Sequence, residues 1–290
     1  MINFGKVSTA MVTPFDNKGN IDFEKTTQLV NYLIKNGTDS LVVAGTTGES
    51  PTLSTEEKLA LFSHVVKVVD GRIPVVAGTG SNNTRASIDL TKKAEAVGVD
   101  AIMLVAPYYN KPSQEGLFQH FSTIASETTL PVMLYNIPGR SVINMSVDTI
   151  VRLAAVENII AVKEASGNLD AMTEIIANTP EDFVLYSGDD GLTLPVLSIG
   201  GNGVVSVASH VLGNEMQTMI RTFESGEYAN AAIQHQTLLP VMKGLFSAPS
   251  PTPVKTALQL KGMDVGGVRL PLVPLTEEER NTLIELLQSI

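Results

Sequence analysis

In the stretch NIIAVKEASG, residues 158–167, a lysine directly follows a short apolar run. An amine such as Lys163 can form a Schiff base with a ketone or aldehyde, provided that it attacks in its neutral form. A free lysine of pKa about 10.4 is only about 0.1% neutral at pH 7.4, so this chemistry asks about 4 kcal/mol of its surroundings. Apolar Ile160 and Val162 act in that direction, because desolvation disfavours the ammonium. The local alternative is a side chain that buries its stem and keeps its head in water. The fold decides between the two.

Three further places carry groups suited to the same reaction. Imine formation moves several protons, and the phenol of Tyr135 in LYNIPGR can give and take them; the plain alternative is a half-buried core tyrosine. Thr46 and Thr47 lie between Gly45 and Gly48 in GTTGES. Their hydroxyls and the free backbone N–H groups there could hold a carboxylate ahead of the next helix, or simply form a connecting turn. The segment is not a phosphate loop, because no lysine follows its last glycine. Arg140, just past Pro138 and Gly139, offers a planar fork to a second carboxylate, or a solvated loop charge. The histidines His64, His120, His210 and His235 are scattered, the first two inside helical patterns. Neither a metal site nor a Ser/His/Asp triad is indicated. The acidic pairs Glu56/Glu57 and Asp189/Asp190 and the run from Glu277 to Glu279 read as helix-start or surface charge.

These residues must be held by regular elements, and the chain supplies them in a repeating order. Eight short apolar runs recur: VSTAMVTPF, SLVVAGTTGES, IPVVAGTGSN, AIMLVAPYYN, LPVMLYNIPG, IIAVKEASG, FVLYSGDD and GVVSVASH. Their hydrophobicity is continuous rather than alternating, as in parallel strands covered on both faces. Helical patterns lie between them. LSTEEKLALFSHVVKVV opens with a capping box from Ser54 to Glu57, and SQEGLFQHFSTIASET and GNEMQTMIRTFESGE read the same way. Eight such units over about 225 residues fit a closed (β/α)8 TIM barrel, for which roughly 250 residues is typical. An open doubly wound sheet is the competing architecture. The count of eight, and the lack of a G-x-G-x-x-G turn after the first run, favour the barrel. After Ser225 the strand signals stop, so residues 1–225 are assigned to the barrel and 226–290 to a C-terminal helical extension packed on it, punctuated by SAPSPTP.

A barrel of this kind builds its active site where strands end. The residues there are Thr13, Thr46 and Thr47, Gly78 and Thr79, Tyr108 and Tyr109, Tyr135 and Asn136, Lys163 and Glu164, Ser187 to Asp189, and Ser206. Lys163 is the one lysine embedded at such an end, which favours the functional reading over the solvated one.

Composition bounds the partners. With 290 residues and 43% hydrophobic content the chain can bury a large core. A net charge of -10 without any basic run argues against nucleic acid as a partner. The absence of cysteine removes disulfides and thiolate chemistry and suits a reducing cytoplasm. No stretch approaches a membrane span or a signal peptide, so a soluble, unprocessed protein is expected.

The segments GTTGES, APYYNKPSQEG, LYNIPGR, VKEASG and YSGDDG, in this order, closely resemble the dihydrodipicolinate synthase family. The likeness covers essentially the whole chain, including PTPVK and RLPLVPLTEEER in the tail. GTTGE and VKEASG mark the wider class I pyruvate aldolase and lyase superfamily, and YNIPGR points to the synthase within it. The resemblance implies that pyruvate forms an imine with Lys163 and, as an enamine, attacks L-aspartate 4-semialdehyde, without a cofactor or metal. It further implies a proton relay of Thr46, Tyr109 and Tyr135, with Tyr109 projecting into a neighbouring subunit's site. Thr46 and Thr47 would hold the pyruvate carboxylate, Arg140 that of the semialdehyde, and Gly188 and Val205 would line the pyruvate pocket. A homodimer or tetramer in the cytoplasm follows from the same likeness.

One departure bears on regulation. Lysine-inhibited members commonly have a histidine where this chain has Lys58, and an acid where it has Ala86. Ser50, Asn82 and Tyr108 fit the family's allosteric cleft, but a cation at Lys58 would repel a cationic amino acid, so weak or absent lysine inhibition is expected. Two other functions stay open on the sequence. One is a related pyruvate aldolase, acting on N-acetylneuraminate or 2-keto-3-deoxy-sugar acids, for which Arg140 is the discriminating residue. The other is a barrel that only binds pyruvate.

Overall fold

Each of the eight apolar runs forms a short parallel strand, and together they close into a barrel. The computed structural model describes residues 2–288. The strands are β1 (Val7–Ala10), β2 (Ser40–Val43), β3 (Val75–Gly78), β4 (Ala101–Val105), β5 (Val132–Asn136), β6 (Ile159–Glu164), β7 (Val184–Ser187) and β8 (Gly203–Ser206). Closure falls at Ser8, which is the register partner of Ser40 on one side and Val205 on the other. The (β/α)8 architecture is therefore the one adopted.

The helices of the barrel units are α1 (Phe23–Lys35), α2 (Thr55–Val69), α3 (Thr84–Ala96), α4 (Gln114–Ala125), α5 (Pro138–Ser141), α6 (Val147–Ala154), α7 (Leu169–Asn178), α8 (Thr193–Ser198) and α9 (Ser209–Glu224). A short polar side chain starts most of the longer ones. Asp22, Ser54, Asn83, Ser113, Ser146 and Asn168 each accept a bond from the N–H three residues on, which satisfies donors the helix cannot pair internally. The expected capping box is present: the Ser54 N–H donates to Glu57 at 2.9 Å and the Glu57 N–H to Ser54 at 3.2 Å. One helix is broken. Leu212, with φ −128° and ψ 18°, separates a short turn from Ser209 from the helix that follows at Gly213, where the pattern was read.

Strand side chains alternate between two cores. Leu41, Val43, Ile102, Leu104, Val162 and Leu185 face outward against the helices. Val42, Val76, Met103, Met133, Ala161 and Val205 fill the barrel interior. This period of two has a direct consequence on β6: Ala161 faces in, Val162 faces out, and the next side chain, Lys163, faces in again.

Beyond β8 the chain is helical, as α10 (Tyr228–Gly244), α11 (Thr252–Leu260) and α12 (Glu277–Gln288). Leu238, Val241, Val254, Leu258 and Leu283 from these helices belong to the same apolar core as the barrel's outer layer. Among the described residues no helix is long and apolar enough to cross a membrane.

Candidate active site

Lys163 is the register partner of Tyr135 on β5 and of Tyr186 on β7. It is only 5% exposed. Its ammonium lies over the face of the Tyr135 ring, 4.1 Å from the centroid, where the negative face of the π-system attracts a cation. The snorkelling alternative therefore fails: the side chain turns into the barrel, and an aromatic ring rather than bulk water receives its charge.

Two clefts share Ile137 and Arg140 and are lined by neighbours of this lysine, Tyr135 in the first and Ala165 and Gly188 in the second. The first, of about 230 Å³, is bordered by Thr46, Ser50, Tyr108, Tyr135 and Arg140. The second, of about 490 Å³, is bordered by Arg140, Gly188, Asp189 and Lys243. Gly188 connects the second cleft to the amine. A Cβ added there would stand 2.6 Å from the Ala165 Cβ and 3.2 Å from the Lys163 Cε, so a side chain here would displace Ala165 and crowd the lysine stem. Thr46 is half-buried, whereas Thr47 beside it is buried. Val205 lies within the barrel interior with Tyr135 and Tyr186 and borders neither cleft.

Tyr109 stands apart from this group. It is 90% exposed, and its φ of 73° lies in the left-handed region that side chains with a Cβ rarely adopt. Tyr108 borders the first cleft, and its carbonyl accepts a bond from the Asn82 side chain at 3.1 Å. Lys58, half-buried on α2, has its ammonium disfavoured by desolvation.

Several buried polar groups around the site make bonds that the sequence does not reveal. Glu164, next to Lys163 but facing the other way, accepts bonds from the Asn136 side chain at 2.9 Å and the Ser166 N–H at 2.7 Å. Burial pushes its carboxyl above the usual range, against the pull of those bonds. Asn136 also donates to the Asn144 Oδ1 and accepts from the Met145 N–H, tying β6 to the segment after Arg140. Asp190, read as surface charge, is buried. Its carboxylate takes the Ser206 hydroxyl and the Val207 and Ala208 N–H groups, because the start of α9 closes over it. Burial raises its pKa, with these bonds opposing.

A third cluster joins the tail to the threonine loop. Lys255 on α11 forms an ion pair with Glu49 at 2.6 Å, both side chains almost fully buried. The Arg269 N–H donates to the other Glu49 oxygen at 2.9 Å, and its guanidinium binds the Thr52 carbonyl and Glu57. Lys255 and Arg269 both stand over the Phe15 ring, at 4.2 and 4.4 Å. The sequence signal was present in two motifs, GTTGES and PTPVK, but nothing local joined them. Among the described residues no cluster of three or more His, Cys, Asp or Glu side chains could hold a metal ion.

The geometry can be set beside known proteins. The model of the dihydrodipicolinate synthetase family matches residues 3–290. A 4-hydroxy-tetrahydrodipicolinate synthase of Bacillus subtilis (strain 168) is 70% identical over 283 residues, covering 97% of this chain and 98% of the relative. The crystal structure of a dihydrodipicolinate synthase from Bacillus anthracis superposes with a TM-score of 0.99 at 68% identity, covering 100% of this chain and 99% of the other. A structure of the enzyme from Cyanidioschyzon merolae with lysine bound gives 0.98 at 46% identity, with coverage of 100% and 99%. The barrel, the inward lysine and these full-length matches together place the chain: it belongs to the dihydrodipicolinate synthetase family.

Proposed function

We propose that this chain is a lyase that condenses pyruvate with L-aspartate 4-semialdehyde to give 4-hydroxy-tetrahydrodipicolinate, the lysine-specific entry to diaminopimelate synthesis. The observation that carries the reading is the buried Lys163 ammonium held over the Tyr135 ring beside two clefts that share Arg140.

The Lys163 amine adds to the pyruvate ketone, and loss of water leaves an imine. A proton leaves the methyl carbon to give an enamine, whose carbon attacks the aldehyde. The amino group of the semialdehyde then adds to the imine carbon, closing the ring and releasing Lys163. Tyr135 moves the protons of these steps together with Thr46, and the Tyr109 hydroxyl of a neighbouring subunit completes the relay. The exposure and left-handed backbone of Tyr109 support that last assignment, since the side chain projects away from its own barrel. Thr46 and Thr47 receive the pyruvate carboxylate, with Gly188 shaping its pocket and Val205 packed in the barrel interior in the same cluster as Tyr135. Arg140 receives the carboxylate of the semialdehyde, and its place on both clefts favours such an aldehyde over a polyol one.

The protein then works as a homodimer or tetramer in the cytoplasm, with residues 1–225 as the catalytic barrel and 226–290 as an extension that supports it. Borohydride reduction in the presence of pyruvate, followed by peptide mapping, tests the reading. A stoichiometric adduct on Lys163 is the expected result, and an unmodified protein beside a trapped control enzyme overturns it.

A further inference from the structure

We propose that the buried Glu49–Lys255 ion pair is a positioning device by which the C-terminal extension sets the pyruvate-binding loop of Thr46 and Thr47. The proposal rests on the reading that this loop takes the pyruvate carboxylate.

The loop makes a tight turn, with the Glu49 N–H donating to the Thr46 carbonyl at 3.0 Å and the Ser50 N–H to the Gly45 carbonyl at 3.3 Å. Glu49 adopts φ 57° and ψ 35°, a left-handed conformation disfavoured for a residue with a Cβ. Something outside the turn must hold it there. Both carboxylate oxygens are engaged from the tail, Oε1 by the Lys255 Nζ and Oε2 by the Arg269 N–H. Lys255 is fixed in turn by the Gly267 carbonyl at 2.7 Å, and the Arg269 guanidinium holds the Thr52 carbonyl at 2.7 Å. The two ends of the segment from Glu49 to Thr52 are thus tied to residues 255–269. On its other side the Gly48 carbonyl accepts from the Thr13 hydroxyl at 2.7 Å.

Stability alone gives little reason for such a pair. A buried ion pair is often no more stabilising than apolar side chains of the same volume, but it fixes direction. Burial pushes the Lys255 ammonium down to about 8 despite the opposing pull of Glu49, which shows how strongly the site disfavours a charge left alone. What the pair adds is orientation, and the residue it orients lies two positions from Thr47.

The test compares Lys255→Met, Glu49→Gln and the double variant, with KM for each substrate, kcat, melting temperature and borohydride trapping at graded pyruvate. Each single variant should raise the pyruvate KM by about tenfold or more, as a misplaced binding group does. The semialdehyde KM should stay within about twofold, and the double variant should raise the pyruvate KM about as much as the worse single one, because both side chains act through one contact. A general loss of stability would instead lower the melting temperature and leave the ratio of the two KM values unchanged, which would overturn the proposal. A double variant restored to the parent's pyruvate KM would also overturn it, because the loop would then be set without the pair. If Lys255→Met does not fold, Lys255→Arg, which keeps the charge but changes the shape and reach of the head that meets Glu49, should raise the pyruvate KM by about threefold, and an unchanged value would count against the proposal. Failure to trap pyruvate in the unaltered protein would sink the reading of the site itself. Normal trapping there, with equal pyruvate dependence in the variants, would sink only the positioning role.

Discussion

The Lys163 Nζ lies 4.1 Å from the centre of the Tyr135 ring, and the two residues are register partners on neighbouring parallel strands. Strand pairing alone therefore fixes the amine against the phenol, without any loop between them. This separates two contributions of Tyr135, the ring that holds the cation and the hydroxyl proposed to exchange protons.

Tyr135→Phe keeps the first and removes the second. It should lower kcat by about 10²–10⁴-fold, the usual span for a lost acid–base group, while slow borohydride trapping on Lys163 persists. A kcat close to that of the parent would remove the phenol from the reaction.

Arg140→Ala should act on the second substrate alone. Loss of a charge-assisted contact worth about 1.5–3 kcal/mol corresponds to about a 10- to 100-fold rise in the semialdehyde KM, with pyruvate trapping unaffected. If the pyruvate KM rises instead, the carboxylate assignments are reversed.

Gly188→Ala places a Cβ 2.6 Å from Ala165 and 3.2 Å from the Lys163 stem. Ala165 cannot yield without moving the β6 end, so an overpacking cost of about 1–3 kcal/mol is expected. The accompanying change is about a tenfold fall in kcat/KM for pyruvate. Steady-state kinetics beside thermal melts would check both, and an unaffected variant would show that the lysine stem has room.

His210 gives a pH prediction. Its Nε2 accepts the Val12 N–H at 3.1 Å, so its Nδ1 carries the proton donated to the Val207 carbonyl at 2.8 Å. Burial pushes its pKa from 6.5 down to about 4. Between these values the unfolded chain binds more protons than the folded one, so stability rises with pH and is lost as pH falls from 6.5 towards 4. The effect approaches about 3 kcal/mol for this one group. Glu164 and Asp190, with raised pKa values, act in the opposite sense at the acid end, so the measurement is a difference. The parent should lose more stability on acidification than His210→Gln, and equal slopes would contradict the account.

Lysine should inhibit weakly or not at all, with activity in millimolar lysine within about twofold of the control, because Lys58 presents a like charge. Its half-buried position on α2 and desolvated ammonium temper that repulsion, and the Cyanidioschyzon merolae relative has been crystallised with lysine bound. Dose–response curves of the parent and Lys58→Ala decide the matter. Sensitivity gained in the variant supports the assignment, and strong inhibition of the parent refutes it.

What the sequence made legible follows a physical rule. The eight strands could be read because double-sided burial writes continuous apolar runs, and Lys163 stood out because it broke one of them at its end. The helix read from Gly213 is present after the break at Leu212, but the short turn before it, from Ser209, was not legible, because it is set by Asp190 receiving the Ala208 N–H. Asp190 itself looked solvated beside Asp189 because its burial depends on a turn 17 to 18 residues further on. Glu49 and Lys255 are separated by 206 positions. A pairing of that span leaves no periodicity or local motif behind, and only the folded chain brings it together.

The same span governs the order in which the molecule can be finished during synthesis. When the ribosome has released β8, every strand of the barrel is available, yet Glu49 still faces a space that Lys255 and Arg269 have not reached. A chain truncated before residue 255 would carry Lys163, Tyr135 and both threonines and still have an untethered loop. A late stretch of the chain thus completes an early loop, and a newborn barrel stays incomplete until α11 and the segment after it fold back over the end of β2.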